Sequence, residues 1–293
     1  MNDNEIPQEL FICPRCKIKL VNDIQELKCP KCNKEVLRDK RFFDFSDLTP
    51  RLNFDFADYL SGLYHFAGQI QTVNDNWRIR KIIKILPKKD KGSVCLEIGG
   101  ADGPLTPTLE EYYSIVFSLD FSKTCLKRIE ANTKKTLCLF GDGLFLPLAD
   151  NSVDVIICTE VLEHVLIPTQ LLLEIRRVLK KDGYCILSVP NESVGFFSDV
   201  LKINEIKTVA SDAHINFYNT AHLKKILYRM GFEINEIKTI GKPLSMKRLL
   251  FLPIIFFRKG SINSHILCKI QSSEIPNIYW NSLEKEIEES SKR

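Results

Sequence analysis

Residues 94–106, VCLEIGGADGPLT, decide how this chain folds. Val94 to Ile98 is a short apolar run that reads as a buried strand, and it passes directly into a tight turn containing Gly99, Gly100 and Gly103. A glycine-rich turn between a strand and a helix is a place to hold a nucleotide-type cofactor. A dinucleotide turn needs G-x-G-x-x-G. Counted from Gly99, its second and third glycines would fall on Ala101 and Pro104. Both fail, and Pro104 also removes a backbone donor where a pyrophosphate would want one.

Outward from this turn the chain alternates short apolar runs with amphipathic ones. SVCLEIG is followed by a helix expected from Pro104, SIVFSLD by one from Ser122, and KTLCLF by a loop. VDVIICT precedes the helical TQLLLEIRRVLKK, then come GYCILSVP, the helical NTAHLKKILYRMG and FEINEIKTI. This alternation predicts an α/β fold, a doubly wound parallel sheet with helices on both faces. Ligands of such sheets bind at the carboxyl ends of the strands. Asp120 ends the second strand, where a carboxylate can accept from both hydroxyls of a ribose, and Phe121 follows it. Asp142, placed to accept from an adenine amino group, and Gly143, a backbone donor to the ring, follow the third strand; Thr159 ends the fourth.

An S-adenosylmethionine turn reads acid-x-G-x-G-x-G. Glu97, Gly99 and Gly103 match it, with Ala101 in place of the middle glycine and Gly100 beside it. With GDGLFLPLADNSVDVIICTEVLEHV and HINFYNTAHLKKILYRMGFEI, the stretch from about Gly92 to Gly241 resembles the class I S-adenosylmethionine-dependent methyltransferases. The subgroup it is most similar to includes the ubiquinone and menaquinone biosynthesis enzymes. The resemblance implies a Rossmann-like seven-stranded sheet ending in a reversed hairpin, S-adenosylmethionine as cofactor, and Glu97, Gly99, Gly100, Ala101, Gly103, Asp120, Phe121, Asp142, Gly143 and Thr159 around it. FEINEIKTI and SHILCKIQ fit the last two strands, separated by the insertion GKPLSMKRLLFLPIIFFRKGSIN.

The ten cysteines divide into two kinds. Six are scattered singly in apolar runs, as small core residues of a reducing compartment, so a cytoplasmic protein is expected. Cys13, Cys16, Cys29 and Cys32 instead form two C-x2-C knuckles, with IKLV and ELKC as short strands between them. Two such knuckles predict a structural Zn2+ site, and a segment of this size needs the metal to fold. Chelation is then expected to unfold the ribbon and spare the rest. Leu10 to Phe45 is similar to the zinc ribbon of small proteins that activate tRNA and release-factor methyltransferases. It also resembles zinc modules of some rRNA guanine methyltransferases, which use a histidine ligand. Both resemblances imply contact with a protein partner or substrate; a folding staple packed on the larger domain is the other reading.

Four parts follow: a zinc ribbon over 1–45, a helical linker or lid over 46–90, the methyltransferase domain over 91–271 and a polar tail over 272–293. In the linker, Asn74 or Asp75 is placed to cap the helix NDNWRIRKIIKIL, and Tyr59, Tyr64, His65 and Phe66 form an aromatic cluster that reads as core or as a lid. A net charge of +4 over 293 residues does not demand nucleic acid. No apolar run has the length of a membrane span, and the start of the chain shows no signal peptide.

Methyl transfer needs a base only where the acceptor must lose a proton. His214, His164 and His65 with Tyr64 are the candidates. In EVLEH, Glu160, Glu163 and His164 would share one face if the stretch were helical. Similar quinone-pathway O-methyltransferases use these positions for a divalent metal; in other relatives the acid and imidazole only fix the loop, and that structural role is favoured here. The expected acceptor is a small or lipid-linked molecule, methylated at oxygen or carbon. An rRNA or tRNA methyltransferase is the first alternative, disfavoured by CTEV where a base-amino enzyme has Asn-Pro-Pro-Tyr, and a non-catalytic regulator is the second. Lys242, Lys247, Arg248, Arg258 and Lys259 surround the apolar Leu249 to Phe257, a composition suited either to core or to peripheral contact with anionic membranes through 247–259.

Overall fold

The computed structural model describes residues 7–23, 26–49, 76–87, 92–191, 214–241 and 265–273. The aromatic cluster at 59–66, the cationic segment 242–259 and the polar tail beyond Ser273 lie outside them. Among the described residues, eleven strands form one sheet. The glycine-turn strand is β5 (Val94–Ile98), and around it lie β6 (Ile115–Asp120), β7 (Leu137–Phe140), β8 (Val153–Thr159) and β9 (Leu179–Pro190). The closing hairpin is β10 (Phe232–Ile240) with β11 (His265–Ser272). Their order is β7-β6-β5-β8-β9-β11-β10, parallel from β7 to β9, with β11 and β10 antiparallel. These are the seven strands the sequence led us to expect.

Alternation by two assigns the strand residues to opposite faces. Cys95, Val116, Val155, Ile157 and Ile186 pack with Ile79 and Ile82 of α1 (Trp77–Ile85) and Leu109 of α2 (Thr106–Tyr112). Cys138 and Phe140 meet Leu126 and Ile129 of α3 (Lys123–Asn132). Leu96, Ile98, Phe117, Leu119, Ile156 and Leu187 join a second core with Leu171 and Ile175 of α4 (Pro168–Val178) and Leu223 and Leu227 of α5 (Thr220–Arg229). Two helix starts differ from expectation. α2 begins at Thr106, two residues past Pro104, with a proline in its first turn. Asn76 caps α1, its side chain accepting from the amides of Arg78 and Ile79; Asn74 and Asp75 lie outside the described residues.

The N-terminal segment supplies four more strands, β1 (Val21–Asp23), β2 (Glu26–Lys28), β3 (Glu35–Asp39) and β4 (Phe42–Asp44). The first three pair in series by antiparallel ladders, and β3 pairs the same way with β4. β4 then adds in parallel to β7, with Phe42, Phe43 and Asp44 opposite Cys138, Leu139 and Phe140. The cysteine segment is thus an extension of the central sheet. Phe11 seals the join: its ring lies 5.2 Å from Phe43, 5.6 Å from Phe45 and 5.7 Å from Phe117. All four rings are fully buried, each contributing up to about 3 kcal/mol of burial.

Candidate functional site

The carboxyl ends of β5, β6, β7 and β8 form one rim, and the glycine turn lies across it. Gly99 and Gly103 have φ of +70° and +74°. A Cβ on Gly99 would come 2.4 Å from Val161 Cγ2, and one on Gly103 2.7 Å from Ile129 Cγ1, so both positions need glycine for conformation and for space. Gly100 answers to a different neighbour. Its missing Cβ would sit 2.9 Å from Glu97 Oε2 and 2.8 Å from Ser118 Oγ, so glycine there admits the Glu97 carboxylate beneath the turn. Thr106 Oγ1 donates to that carboxylate at 2.5 Å and Ser118 Oγ at 3.5 Å. Burial pushes the Glu97 carboxyl up to about 7.

Asp120 is equally buried. Its Oδ1 accepts from the Ser122 amide at 2.8 Å and its Oδ2 from the Ala101 amide at 3.2 Å. Each oxygen retains acceptor capacity for a ligand hydroxyl. Burial outweighs those amides and raises this carboxyl to about 6. Ala101 itself sits at φ +48°, a left-handed conformation in which a side chain is strained. Phe121, next to Asp120, is exposed. Beyond β7, Asp142 caps a 3-10 turn at Gly143–Phe145 through the Leu144 amide at 2.8 Å, and burial raises its carboxyl as well. Thr159 closes β8, half-buried at the same rim.

EVLEH is not a helix. Glu160 has φ +56° and residues 162–164 form a turn, so Glu160, Glu163 and His164 do not share a face. The Glu160 amide donates to Ser188 O at 3.0 Å, which carries the β8–β9 ladder one residue past Thr159 before the chain turns. The Glu160 carboxylate accepts from Ser188 Oγ at 2.7 Å and from Arg78 Nη1 at 3.0 Å, and lies 3.1 Å from His265 Nε2. Burial opposes its charge, but His265, Arg78 and Ser188 outweigh burial and hold its carboxyl below the usual range. Arg78 is the second residue of α1 and His265 the first of β11. Nothing in the sequence singles them out, because an arginine on an amphipathic helix and a histidine opening a strand are ordinary.

Glu163 and His164 turn the other way, toward His214. One ligand atom from each lies within 4.8 Å of the others, and the two imidazole rings are 4.9 Å apart. Burial, then the neighbouring His164, holds the His214 ring below its ordinary pKa. The exposed side chains of Leu166, Ile167, Ile215 and Phe217 flank these residues in sequence.

The four N-terminal cysteines lie on two matched knuckles. The Cys16 amide points to Cys13 Sγ and the Cys32 amide to Cys29 Sγ, at 3.4 and 3.5 Å. Lys17 and Asn33, one after each knuckle, both adopt φ near +60°, at 55° and 60°. All four sulfurs lie within 4.8 Å of one another, with Cys13 and Cys32 at 3.9 Å. A Zn–S length of about 2.3 Å puts tetrahedral sulfurs about 3.8 Å apart, so the donor set fits zinc.

The description "Methyltransferase domain" fits residues 66–237 as a family. An uncharacterized protein of Methanocaldococcus jannaschii is 30% identical over 199 residues, 67% of this chain and 81% of that relative. A protein of Mycolicibacterium smegmatis named a probable S-adenosylmethionine-dependent methyltransferase is 29% identical over 150 residues. That match spans 51% of this chain and about half, 55%, of the relative. Among solved structures, an S-adenosylmethionine-dependent methyltransferase from Mesorhizobium loti superposes with a TM-score of 0.52 at 16% identity, over 68% of this chain and 99% of that one.

Proposed function

The chain belongs to the methyltransferase-domain family, and from that premise we propose that it methylates a small or lipid-linked acceptor at oxygen or carbon, with S-adenosylmethionine as donor. The observation that carries the proposal is the Asp120 carboxylate, buried at the strand end and fixed by the amides of Ala101 and Ser122 beside a turn with two left-handed glycines. That arrangement fits a ribose held against the turn. Asp142 and the Gly143 amide would receive the adenine, with the exposed Phe121 as a stacking surface, while Glu97 supports the turn from below. The bound cofactor supplies an electrophilic methyl group on a sulfonium, and the protein supplies alignment and exclusion of water.

An acceptor of this class is supported by what borders the rim past Thr159. Leu166, Ile167, Ile215 and Phe217 are exposed apolar side chains there, which suit an acceptor with apolar surface. His214 and His164, with ring centroids 4.9 Å apart, are the groups that would help an acceptor hydroxyl lose its proton, directly or through a bound ion. The four cysteines hold a structural zinc in this proposal. The segment 247–259 is the natural point of contact with a membrane carrying a lipid-linked acceptor; no helix among the described residues is long and apolar enough to cross one.

Calorimetric titration tests the cofactor site. The parent should bind S-adenosylmethionine, and Asp120→Ala should weaken it by about 2 kcal/mol, roughly 30-fold. Equal affinity would remove Asp120 from the site, and a parent that does not bind would leave a non-catalytic regulator. Salt-dependent RNA binding would turn the proposal toward an RNA acceptor.

A further inference from the structure

We infer that Glu163, His164 and His214 form a second metal site, separate from the four cysteines, for a divalent ion of the zinc class. Their ligand atoms, one carboxylate oxygen and two imidazole nitrogens, lie within 4.8 Å of one another. His164 Nε2 is 3.9 Å from Glu163 Oε1, and the two rings meet edge to face at 63°. Metal–ligand lengths of about 2.0–2.2 Å require donors roughly 3.4 Å apart, so side-chain rotations of about 1 Å close the site. Two imidazoles and one carboxylate are the donor set of ions that keep an open coordination position.

The backbone holds these residues together although they come from distant parts of the chain. The amides of Ile215 and Asn216 both donate to Glu163 O, at 2.9 and 3.1 Å. Asn216 Nδ2 donates to Val165 O at 2.7 Å, and the Tyr218 hydroxyl reaches Leu162 O at 3.4 Å. The segment carrying His214 is thereby clamped onto the turn carrying Glu163 and His164. Glu163 is 1% exposed, so its carboxylate is shielded from bulk water where the two imidazoles approach it.

Glu160 has no part in this set. It is committed to Arg78, His265 and Ser188, so the three positions 160, 163 and 164 do not form a ligand triad in this fold. The open position of an ion on Glu163, His164 and His214 would take an oxygen of the acceptor and lower its pKa, favouring loss of its proton before methyl transfer. That role rests on the methyltransferase reading above; the binding of the ion does not.

The test counts metal in the full chain and needs no turnover. Metal-free protein titrated with Co2+ or Zn2+ should take up two equivalents. One gives the thiolate-to-cobalt charge-transfer band of the cysteine site, and the other lacks it. Glu163→Gln and His214→Ala should each weaken the second ion by more than about 100-fold, beyond the loss of an outer-shell partner, and keep the thiolate band, which also reports an intact fold. Glu160→Gln should keep both ions. A parent that takes up only the thiolate-bound equivalent, or a second ion that survives His214→Ala, overturns the site. A second ion lost in Glu160→Gln but kept in His214→Ala overturns this ligand set. Failure to bind S-adenosylmethionine with two ions present would instead defeat the methyltransferase reading alone.

Discussion

Glu97 is a carboxylate buried beneath the turn it supports, and its environment makes a signed prediction. Its carboxyl is raised from 4.5 to about 7, so between those values the folded state holds a proton that the unfolded state releases. The stabilisation is complete below about pH 4.5 and is lost as pH rises through about 7, a change on the order of 3 kcal/mol. Glu97→Gln should flatten that part of the profile, giving a variant that gains stability relative to the parent between pH 5 and 8; parallel urea midpoints across this range would contradict it. Ala101 makes a second prediction at this scale. Relief of strain at φ +48° should exceed the added freedom of an unfolded glycine, so Ala101→Gly should stabilise by about 0.5–1 kcal/mol in thermal unfolding. It should also bind cofactor more tightly if the methyl crowds the ligand. The acids at 97, 120 and 142 were legible because each lies within a few residues of a strand end. The space behind Gly100 was not, since it depends on Ser118 from the neighbouring strand.

At the scale of elements, the join between β4 and β7 is made by side chains as well as by the ladder. The Arg41 guanidinium donates to Glu130 O, Thr133 O, Thr133 Oγ1 and Thr136 O, fastening the turn before β4 to the connection between α3 and β7. Arg41→Ala leaves several part-buried acceptors without that donor and should cost about 2–3 kcal/mol in denaturant unfolding. A change below about 0.5 kcal/mol would show that the ladder alone holds the edge. The strands and helices of the alternating half were readable from their period, whereas EVLEH was not. Its apolar and polar spacing suits a helix, but the β8–β9 ladder runs on to the Glu160 amide and Glu160 then turns left-handed, which overrides local preference.

Across the whole molecule, the continuity of the sheet changes what loss of zinc should do. A detached ribbon would unfold alone, as the sequence led us to expect. Here the Phe45 amide donates to Phe140 O, the Ala149 amide to Leu10 O, and Lys17 pairs with Glu174, which also accepts from the Leu146 amide. Asp44 pairs with Lys123 at the start of α3, next to the Asp120 loop. Chelation should therefore lower the unfolding temperature of the whole chain in one transition and weaken cofactor binding with it. Two separate calorimetric transitions, with the upper one unmoved by chelator, would show that the ribbon folds apart from the sheet.

Local pattern was enough to determine the strand–turn–helix at Gly99, the alternation that makes a parallel sheet, and the two thiol knuckles, because each depends on residues close in sequence. Tertiary structure alone decided that β4 extends the sheet, that His214 lies against Glu163, and that Arg78 meets His265 from 187 residues away. Those contacts arise from which strand edges and loop ends the topology brings together. Spacing along a chain carries no record of such meetings, because the residues that make them are ordinary in their own neighbourhoods.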